Sequence, residues 1–156
     1  MLSRVRVIAL LATVLVLAAC GSGGEVRRIY PPQATIQQLT LQAGGLWSLN
    51  VRIENFSNVS TRIDDVALKM QVNGIAAGEI KLAPERHVSP NSVEVFAFDL
   101  QATPDALAAA ALAQSDRRGL RYRLDGHIIT SDPDDRYPTE YESVLSPVPG
   151  LDGVFR

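Results

Sequence analysis

The sequence predicts an all-β fold, an antiparallel β-sandwich of about seven strands with one short alanine-rich helix. From Thr35 onward, hydrophobic residues recur mostly at every second position, which is typical of half-buried strands. Turn-forming residues separate these segments at intervals of about eight to twelve residues. One alanine-rich segment after Thr103 interrupts the alternation and favours a helix.

The alternation defines the individual strands. It is clearest from Trp47 to Ile53, where every second residue is apolar. Asn73-Gly74, the strongest two-residue hairpin signal, joins two further strands. In the strand that follows Pro90, apolar residues occupy both faces, so the pattern predicts coverage on both faces. The predicted strands cover residues 36–41, 47–53, 66–72, 75–82, 92–100, 120–130 and 141–145.

The helix is predicted over residues 106–114 from its start signals as well as its composition. Thr103 is a suitable N-cap, Pro104 suits the first helical position, and Asp105 places an acid in the first turn. Gly119 is expected to close the helix. The stripe expected to pack against a sheet consists of Leu107, Ala108, Ala111 and Leu112.

Residues 1–19 have the layout of a secretory signal peptide. Arg4 and Arg6 precede a run of uncharged, mostly apolar residues from position 7 to position 19. At about 1.5 Å per residue this run spans about 20 Å, which is shorter than the ~30 Å hydrocarbon core of a membrane. The segment is therefore predicted to be an export signal rather than a transmembrane helix.

Residues 17–20, Leu-Ala-Ala-Cys, resemble the bacterial lipobox, whose cysteine is acylated, with palmitate among the acyl chains. The resemblance implies a lipoprotein whose mature chain begins at Cys20. Gly21 follows instead of the aspartate of inner-membrane lipoproteins, which implies the outer membrane, with the domain facing the periplasm. Several acyl chains anchor firmly, since each buried CH₂ contributes about 0.8 kcal/mol. The alternative is an unmodified cysteine beside an ordinary cleavage site.

The mature chain divides into a tether and one domain. Residues 20–34 are predicted to be the tether, flexible at residues 21–24 and stiffer at Pro31-Pro32. Residues 35–156 are predicted to be the domain. Loss of Arg4 and Arg6 leaves 13 basic against 17 acidic residues, a net charge of −4, which argues against a nucleic-acid partner.

Catalytic and metal-binding motifs are poorly represented. Cys20 is the single cysteine, so an internal disulfide or a thiolate cluster is excluded. His87 and His127 lack the spacing of a zinc site. Asp132, Asp134 and Asp135 could together hold Ca²⁺, but they lie in a turn without the glycine and glutamate of an EF-hand and are interpreted as solvated turn acids. The sequence therefore predicts no enzyme, no cofactor and no metal, and identifies no small-molecule substrate.

Four arginines form the most basic local segment, at Arg117, Arg118, Arg121 and Arg123. The spacing of two places Arg121 and Arg123 on one strand face, opposite Tyr122. A row of guanidinium groups can bind the phosphates of anionic lipid or lipopolysaccharide. The alternative is a solvated outer face whose charge is balanced by acids on the neighbouring strand.

Residues 36–100 carry a recognisable pattern. It consists of the strand over 46–55 with its asparagine-rich exit, the strand over 66–72, the Asn73-Gly74 hairpin, Ala77-Gly78-Glu79, and the Pro90-Asn91 lead into residues 93–98. This pattern resembles the LEA type 2 family, also called the water-stress and hypersensitive-response (WHy) domain. The resemblance implies an immunoglobulin-like or fibronectin-like sandwich, non-catalytic stress protection, and bacterial lipoprotein relatives. The chain departs from the family's Asn-Pro-Asn at residues 55–58, Asn-Phe-Ser-Asn.

These observations predict an envelope-anchored, non-enzymatic LEA type 2-like lipoprotein that protects or stabilises membranes or proteins during stress such as desiccation. Its expected partner is the membrane, through acylated Cys20. One alternative is an interaction module that docks an envelope protein, a glycan or anionic lipid through loops or through residues 117–123. The other is a small hydrolase. The two differ in that a hydrolase needs polar groups converging in a cleft.

Overall fold

Two antiparallel sheets and one α-helix make up residues 26–156, the part of the chain that the computed structural model describes. The predicted signal peptide, Cys20 and residues 21–25 of the predicted tether lie outside these residues. The all-β sandwich with a single short helix is confirmed.

The elements are β1 Gln33–Leu41, β2 Leu46–Asn55, β3 Thr61–Val72, β4 Ile75–Leu82, β5 Arg86–Val88, β6 Ser92–Gln101, α1 Pro104–Ser115, β7 Leu120–Asp132, β8 Asp134–Leu145 and β9 Val154–Phe155. The strand order is β6-β2-β1-β9 in one sheet and β4-β3-β7-β8 in the other, where β5 also pairs with β3. The alternating pattern located the long strands but not the starts of β3 and β8, which begin at Thr61 and Asp134 instead of residues 66 and 141. The strands β5 and β9 are too short to show an alternation.

The core lies between the two sheets and is supplied by one face of each strand. The inward residues of β2, from Trp47 to Ile53, are fully buried. In β6, Phe96 and Phe98 pack against the core, whereas Val95 on the opposite face remains 43% exposed. The prediction that both faces of this strand are covered was therefore wrong.

The predicted hairpin between β3 and β4 has a two-residue loop, because Val72 pairs directly with Ile75. Both loop residues have positive φ, 49° at Asn73 and 81° at Gly74. A type I′ turn requires this backbone, which glycine adopts freely and asparagine tolerates.

Helix α1 begins as predicted but packs on a different face. Thr103 is the N-cap, and its Oγ1 accepts a hydrogen bond from the Ala106 N–H. The buried positions are Ala106, Ala110 and Ala113. Of the predicted stripe only Leu107 packs against the core, whereas Leu112 is 61% exposed, so the predicted stripe was wrong except at Leu107. Small alanines on the buried face allow the helix backbone to approach the sheet closely.

The end of α1 also differs from the expectation. Arg117, with φ of 52°, takes the left-handed position after the helix, and its N–H donates to the Gln114 carbonyl. The Arg118 N–H donates to the Ala113 carbonyl, which completes a Schellman motif. Gly119 instead permits close packing against β8, because a Cβ there would lie 2.4 Å from Cγ1 of Val144.

The strands give the sandwich two distinct ends. At the tether end lie residues 26–32, the loops over residues 56–60 and 89–91, and the turn between β7 and β8. At the helix end lie α1, the Asn73-Gly74 turn and the start of β7. The two ends are separated by the length of β7, whose 13 residues span about 44 Å at ~3.4 Å per residue.

Candidate functional site

The four arginines that the sequence singles out lie toward the helix end. Arg117 and Arg118 follow α1, and Arg121 and Arg123 lie on β7. Both β7 arginines are on the outer face, where the Arg121 side chain is 66% exposed, whereas Tyr122 between them is buried in the core. The strand faces are therefore those that the spacing predicts.

Three of these arginines form ion pairs with nearby carboxylates. The shortest nitrogen–oxygen distances are 2.6 Å for Arg118–Asp116, 3.4 Å for Arg121–Glu142 and 2.7 Å for Arg123–Glu140. Exposed pairs of this kind contribute only about 0–1 kcal/mol to stability, but they lower the positive charge presented to a phosphate. This arrangement favours a charge-balanced outer face. Phosphate binding at these arginines stays a prediction.

A polar groove of about 590 Å³ adjoins the two β7 arginines. Asn73 closes one side, since its N–H donates to the Arg121 carbonyl (2.8 Å) and its Oδ1 accepts from the Arg121 N–H (3.1 Å). The Tyr122 hydroxyl is committed elsewhere because it accepts the Ile36 N–H at 3.2 Å. Burial raises the pKa of Tyr122 to about 12, so its hydroxyl stays protonated at neutral pH. The lining residues are Gln71, Asn73, Gly74, Arg121, Tyr122, Arg123 and Glu142.

A second groove, of about 400 Å³, crosses the outer face of the β4-β3-β7-β8 sheet. Its lining includes both basic and acidic side chains, two of which form an ion pair. Lys81 Nζ lies 2.9 Å from a Glu79 carboxylate oxygen, and the hydrogen bond from Lys81 lowers the pKa of Glu79. Arg136 Nη2 lies 3.3 Å from Nδ1 of His127. Exposed basic and acidic groups of this kind suit contact with a hydrated surface better than acid–base catalysis.

Residues 26–156 contain no cluster of three or more histidine, cysteine or acidic side chains positioned to hold a metal ion. One hydroxyl–imidazole contact is present, between Ser60 Oγ and His87 Nδ1 at 3.4 Å. It is long and solvent-exposed, and Ser60 Oγ also lies 3.4 Å from the Val88 carbonyl. Within the same residues, no helix has the length and hydrophobicity needed to cross a membrane.

At the tether end, the side chain of Asn55 joins two loops. Asn55 is only 1% exposed, and its Nδ2 lies 2.8 Å from the Val59 carbonyl and 3.1 Å from those of Val88 and Ser89. Its Oδ1 accepts the N–H of Ser57 at 2.9 Å. Every polar atom of this buried amide is therefore satisfied, and the loop after β2 is fixed to the loop before β6.

The next residues of this loop hold the segment that leads into β1. Asn58 Oδ1 accepts the Arg28 N–H at 2.6 Å, and Asn58 Nδ2 donates to the Val26 carbonyl at 2.8 Å. The Asn58 N–H also donates to the Arg28 carbonyl, at 3.1 Å. Ser57 Oγ accepts the Tyr30 N–H at 2.9 Å. We call these contacts of Ser57 and Asn58 the strand-entry clamp.

The strand-entry clamp is formed by the loop over residues 55–58, Asn-Phe-Ser-Asn, which contains no proline. Its role was not predicted from the sequence, although an asparagine-rich loop with no proline is a signal for side chains that bind neighbouring backbone. The clamp fixes residues 26–30, and β1 begins at Gln33, within the region that the sequence assigns to the tether. Val26 is the sixth residue after Cys20, which gives the intervening chain a reach of at most about 20 Å.

Comparison with known proteins identifies a family. Residues 50–136 match the family model described as late embryogenesis abundant protein, LEA_2. Among curated proteins, none matches the sequence significantly.

Solved structures resemble the fold at low sequence identity. The solution structure of a protein from Arabidopsis thaliana is 11% identical, with a TM-score of 0.57 over 81% of this chain and 86% of that one. A crystal structure from Archaeoglobus fulgidus is 12% identical, with a TM-score of 0.42 over 78% of this chain and 98% of that one. At 11% identity, the Arabidopsis likeness shows the fold alone.

The contribution of the buried Asn55 amide to stability can be tested by comparing Asn→Asp substitutions at Asn55 and at Asn58. Asn55→Asp replaces the donor NH₂ with an oxygen that faces three carbonyls, so we expect the free energy of unfolding to fall by about 3 kcal/mol or more at pH 7. Burial raises the pKa of the new carboxyl in the folded state, so the folded state binds more protons and stability recovers as pH falls toward 5. Urea unfolding at both pH values measures this.

Asn58→Asp is the matched control for this substitution. Asn58 is only partly buried, and the new carboxylate still accepts the Arg28 N–H, so we expect a loss below about 1 kcal/mol. Equal losses in the two variants, or an Asn55→Asp variant insensitive to pH, would contradict the role given to Asn55.

Proposed function

The chain belongs to the late embryogenesis abundant protein family, whose model matches more than half of it, and we propose that it is a lipid-anchored bacterial envelope protein that protects its surroundings during water stress. Members of this family are generally not enzymes, and the family supports a stress-related role. The proposal adds acylation of Cys20, outer-membrane location and a protective action exerted through the folded surface.

One observation carries the proposal: the strand-entry clamp holds the chain at one end of the sandwich, six residues from the lipobox cysteine. An acyl anchor on Cys20 would therefore keep the tether end within about 20 Å of the bilayer. The outer faces of both sheets would remain free to meet neighbouring molecules. Family membership supports what those faces do, and the lipobox supports where they do it.

Drying raises the concentration of a protective protein, so the protein itself must not aggregate. The edge strand β8 has features that oppose aggregation. β8 is the edge of its sheet and is 12 residues long, so it offers a template for pairing with another chain. Pro138 in the middle of β8 lacks an N–H and cannot donate a hydrogen bond to an added strand. The exposed carboxylates of Glu140 and Glu142 would have to lose water if another strand paired there, which opposes pairing. This edge therefore opposes self-association while the outer face remains hydrated.

The anchor is tested by metabolic labelling with a palmitate analogue in a bacterial host. We expect the unaltered chain to carry the label and to stay in the membrane fraction through a high-salt wash, and Cys20→Ser to carry none. The matched control combines Cys20→Ser with Ser22→Cys, which restores a thiol two residues away. A label on either variant would show that the lipobox position does not determine acylation.

The protective role is tested by drying a dehydration-sensitive enzyme with a chain that begins at Gly21. We expect more enzyme activity after rehydration than with an equal mass of serum albumin. Trp47→Ala, which empties a fully buried site and costs about 3–5 kcal/mol, should abolish the advantage if the folded surface is responsible. Recovery no better than with albumin, or equal recovery with Trp47→Ala, would contradict the proposed role.

A further inference from the structure

Exposed apolar side chains are concentrated at the tether end of the sandwich. Val26, Ile29, Tyr30 and Phe56 are between 43% and 69% exposed. Three of them lie in the clamped segment and the fourth lies in the clamping loop itself. The other large exposed hydrophobic residues of the described chain are dispersed over β6, α1, β8 and the loop before β9. Such a cluster is typical of an interaction surface rather than of scattered surface residues.

Two arginines interrupt the apolar cluster. Arg27 and Arg28 lie between Val26 and Ile29, and both are exposed. Neither forms an ion pair with a carboxylate of residues 26–156, in contrast to Arg121 and Arg123 on β7. Guanidinium groups beside tyrosine and aliphatic side chains suit the boundary between phosphate headgroups and acyl chains.

We infer that this tether-end patch, comprising Val26, Arg27, Arg28, Ile29, Tyr30 and Phe56, docks on the surface of the lipid bilayer. The apolar side chains enter the headgroup boundary and the two arginines bind lipid phosphates. The lipid anchor itself rests on the proposed function, whereas the patch is defined by exposure and charge alone. With both in place, the domain stands with its tether end on the membrane.

The short chain between Cys20 and the tether-end patch indicates that the patch binds lipid. A segment six residues from an acylated cysteine cannot move more than about 20 Å from the bilayer, so lipid is the surface that it meets most often. A short flexible linker gives an effective concentration in the millimolar range, so even weak docking becomes populated. The strand-entry clamp fixes the backbone of the patch beforehand, which lowers the entropy lost on docking.

The negative charges around the tether-end patch restrict its electrostatic attraction to lipid phosphates to short distances. The chain has a formal net charge of −2, and the aspartates of the β7–β8 turn, Asp132 and Asp134, lie at the same end of the sandwich. Long-range attraction to an anionic surface is therefore absent. At physiological salt the screening length is about 8 Å, so Arg27 and Arg28 act only on phosphates close to them.

This inference assigns a different role to the arginines at the helix end. Arg121 lies eleven residues along β7 from Asp132, a distance of about 37 Å at ~3.4 Å per residue. When the patch is docked, Arg121 and Arg123 are held away from the same membrane. They therefore provide a control with the same residue type and the same change in charge.

The test is sedimentation with vesicles of equal parts phosphatidylglycerol and phosphatidylethanolamine, at millimolar lipid and low salt. All the buried residues of the described structure lie between Pro32 and Phe155, so a chain that begins at Gly21 retains the core and lacks the cysteine. We expect it to sediment with these vesicles. The double variant Arg27→Glu/Arg28→Glu should lower the partition coefficient about tenfold or more.

Two controls separate the patch from the rest of the surface. We expect Arg121→Glu/Arg123→Glu to change the partition coefficient less than about twofold. Likewise Phe56→Ser should weaken it severalfold, whereas Leu112→Ser, on the exposed face of α1, should not. All these side chains are exposed or partly exposed, so nearly unchanged thermal midpoints should accompany the patch variants and Leu112→Ser. Arg121→Glu/Arg123→Glu places like charges beside Glu140 and Glu142, so its midpoint should fall by a few degrees while the domain stays folded at the temperature of the assay.

Two results would overturn the inference. One is no sedimentation of the unaltered chain at millimolar lipid. The other is a loss of partition with the β7 variant equal to that with the Arg27→Glu/Arg28→Glu variant. Neither depends on Cys20, so failure here leaves the acylation result standing, and failure of acylation leaves the vesicle result standing.

Discussion

The buried amide of Asn55 is the interaction on which the tether end depends. Its NH₂ group donates to the carbonyls of Val59 and Ser89, which lie in loops, and to that of Val88, the last residue of β5. Its oxygen turns the chain by accepting the Ser57 N–H. Because Ser57 and Asn58 follow directly, the position of their side chains is set by this turn. The path of residues 26–30 is in turn set by those side chains, and with it the point at which the chain leaves the domain.

The point at which the chain leaves the tether end determines the position of the helix end only if the sandwich between the two ends is rigid. The two sheets share a core that includes fully buried Trp47 and Phe155, and a hydrogen bond from the Ile36 N–H to the Tyr122 hydroxyl links β1 to the opposite sheet. The indole N–H of Trp47 has no hydrogen-bond partner among the described residues, a cost of about 1–3 kcal/mol that the packing of the ring outweighs. The helix end is therefore carried at a constant distance from the tether end.

Sequence alone predicted those parts of the structure that local chemistry determines. The β2 strand from Trp47 to Ile53 was recognisable because one face is buried and the other wet, and the β3–β4 turn because Asn73-Gly74 accepts positive φ. The start of α1 followed from Thr103-Pro104, but its packing face did not. Alanines occur on most faces of that helix, so hydrophobicity hardly varies around its axis. Packing against the sheet, and not the sequence pattern, therefore determines which face is buried.

Features that join distant residues were not predictable in the same way. The acids that balance Arg121 and Arg123 lie on β8, and nothing in the arginine row itself reveals which strand will be its neighbour. Asn58 and Arg28 are thirty residues apart and meet through a backbone N–H, which any residue possesses. The tether-end patch combines Phe56 with Arg27 and Arg28, which are distant in sequence and are brought to one end of the sandwich by the contacts of Ser57 and Asn58.

If the tether-end patch docks as proposed, the domain stands upright on the membrane with its helix end farthest from the lipid. Neutron reflectometry on a supported bilayer measures this orientation directly, with a chain that begins at Cys20 coupled through its single thiol to a maleimide lipid. Docking through the tether end predicts a protein layer about 44 Å thick that begins at the headgroups, set by the 13-residue length of β7. A layer of roughly half that thickness, as expected for a sandwich lying on one sheet, or a gap of water between the headgroups and the protein, would contradict it.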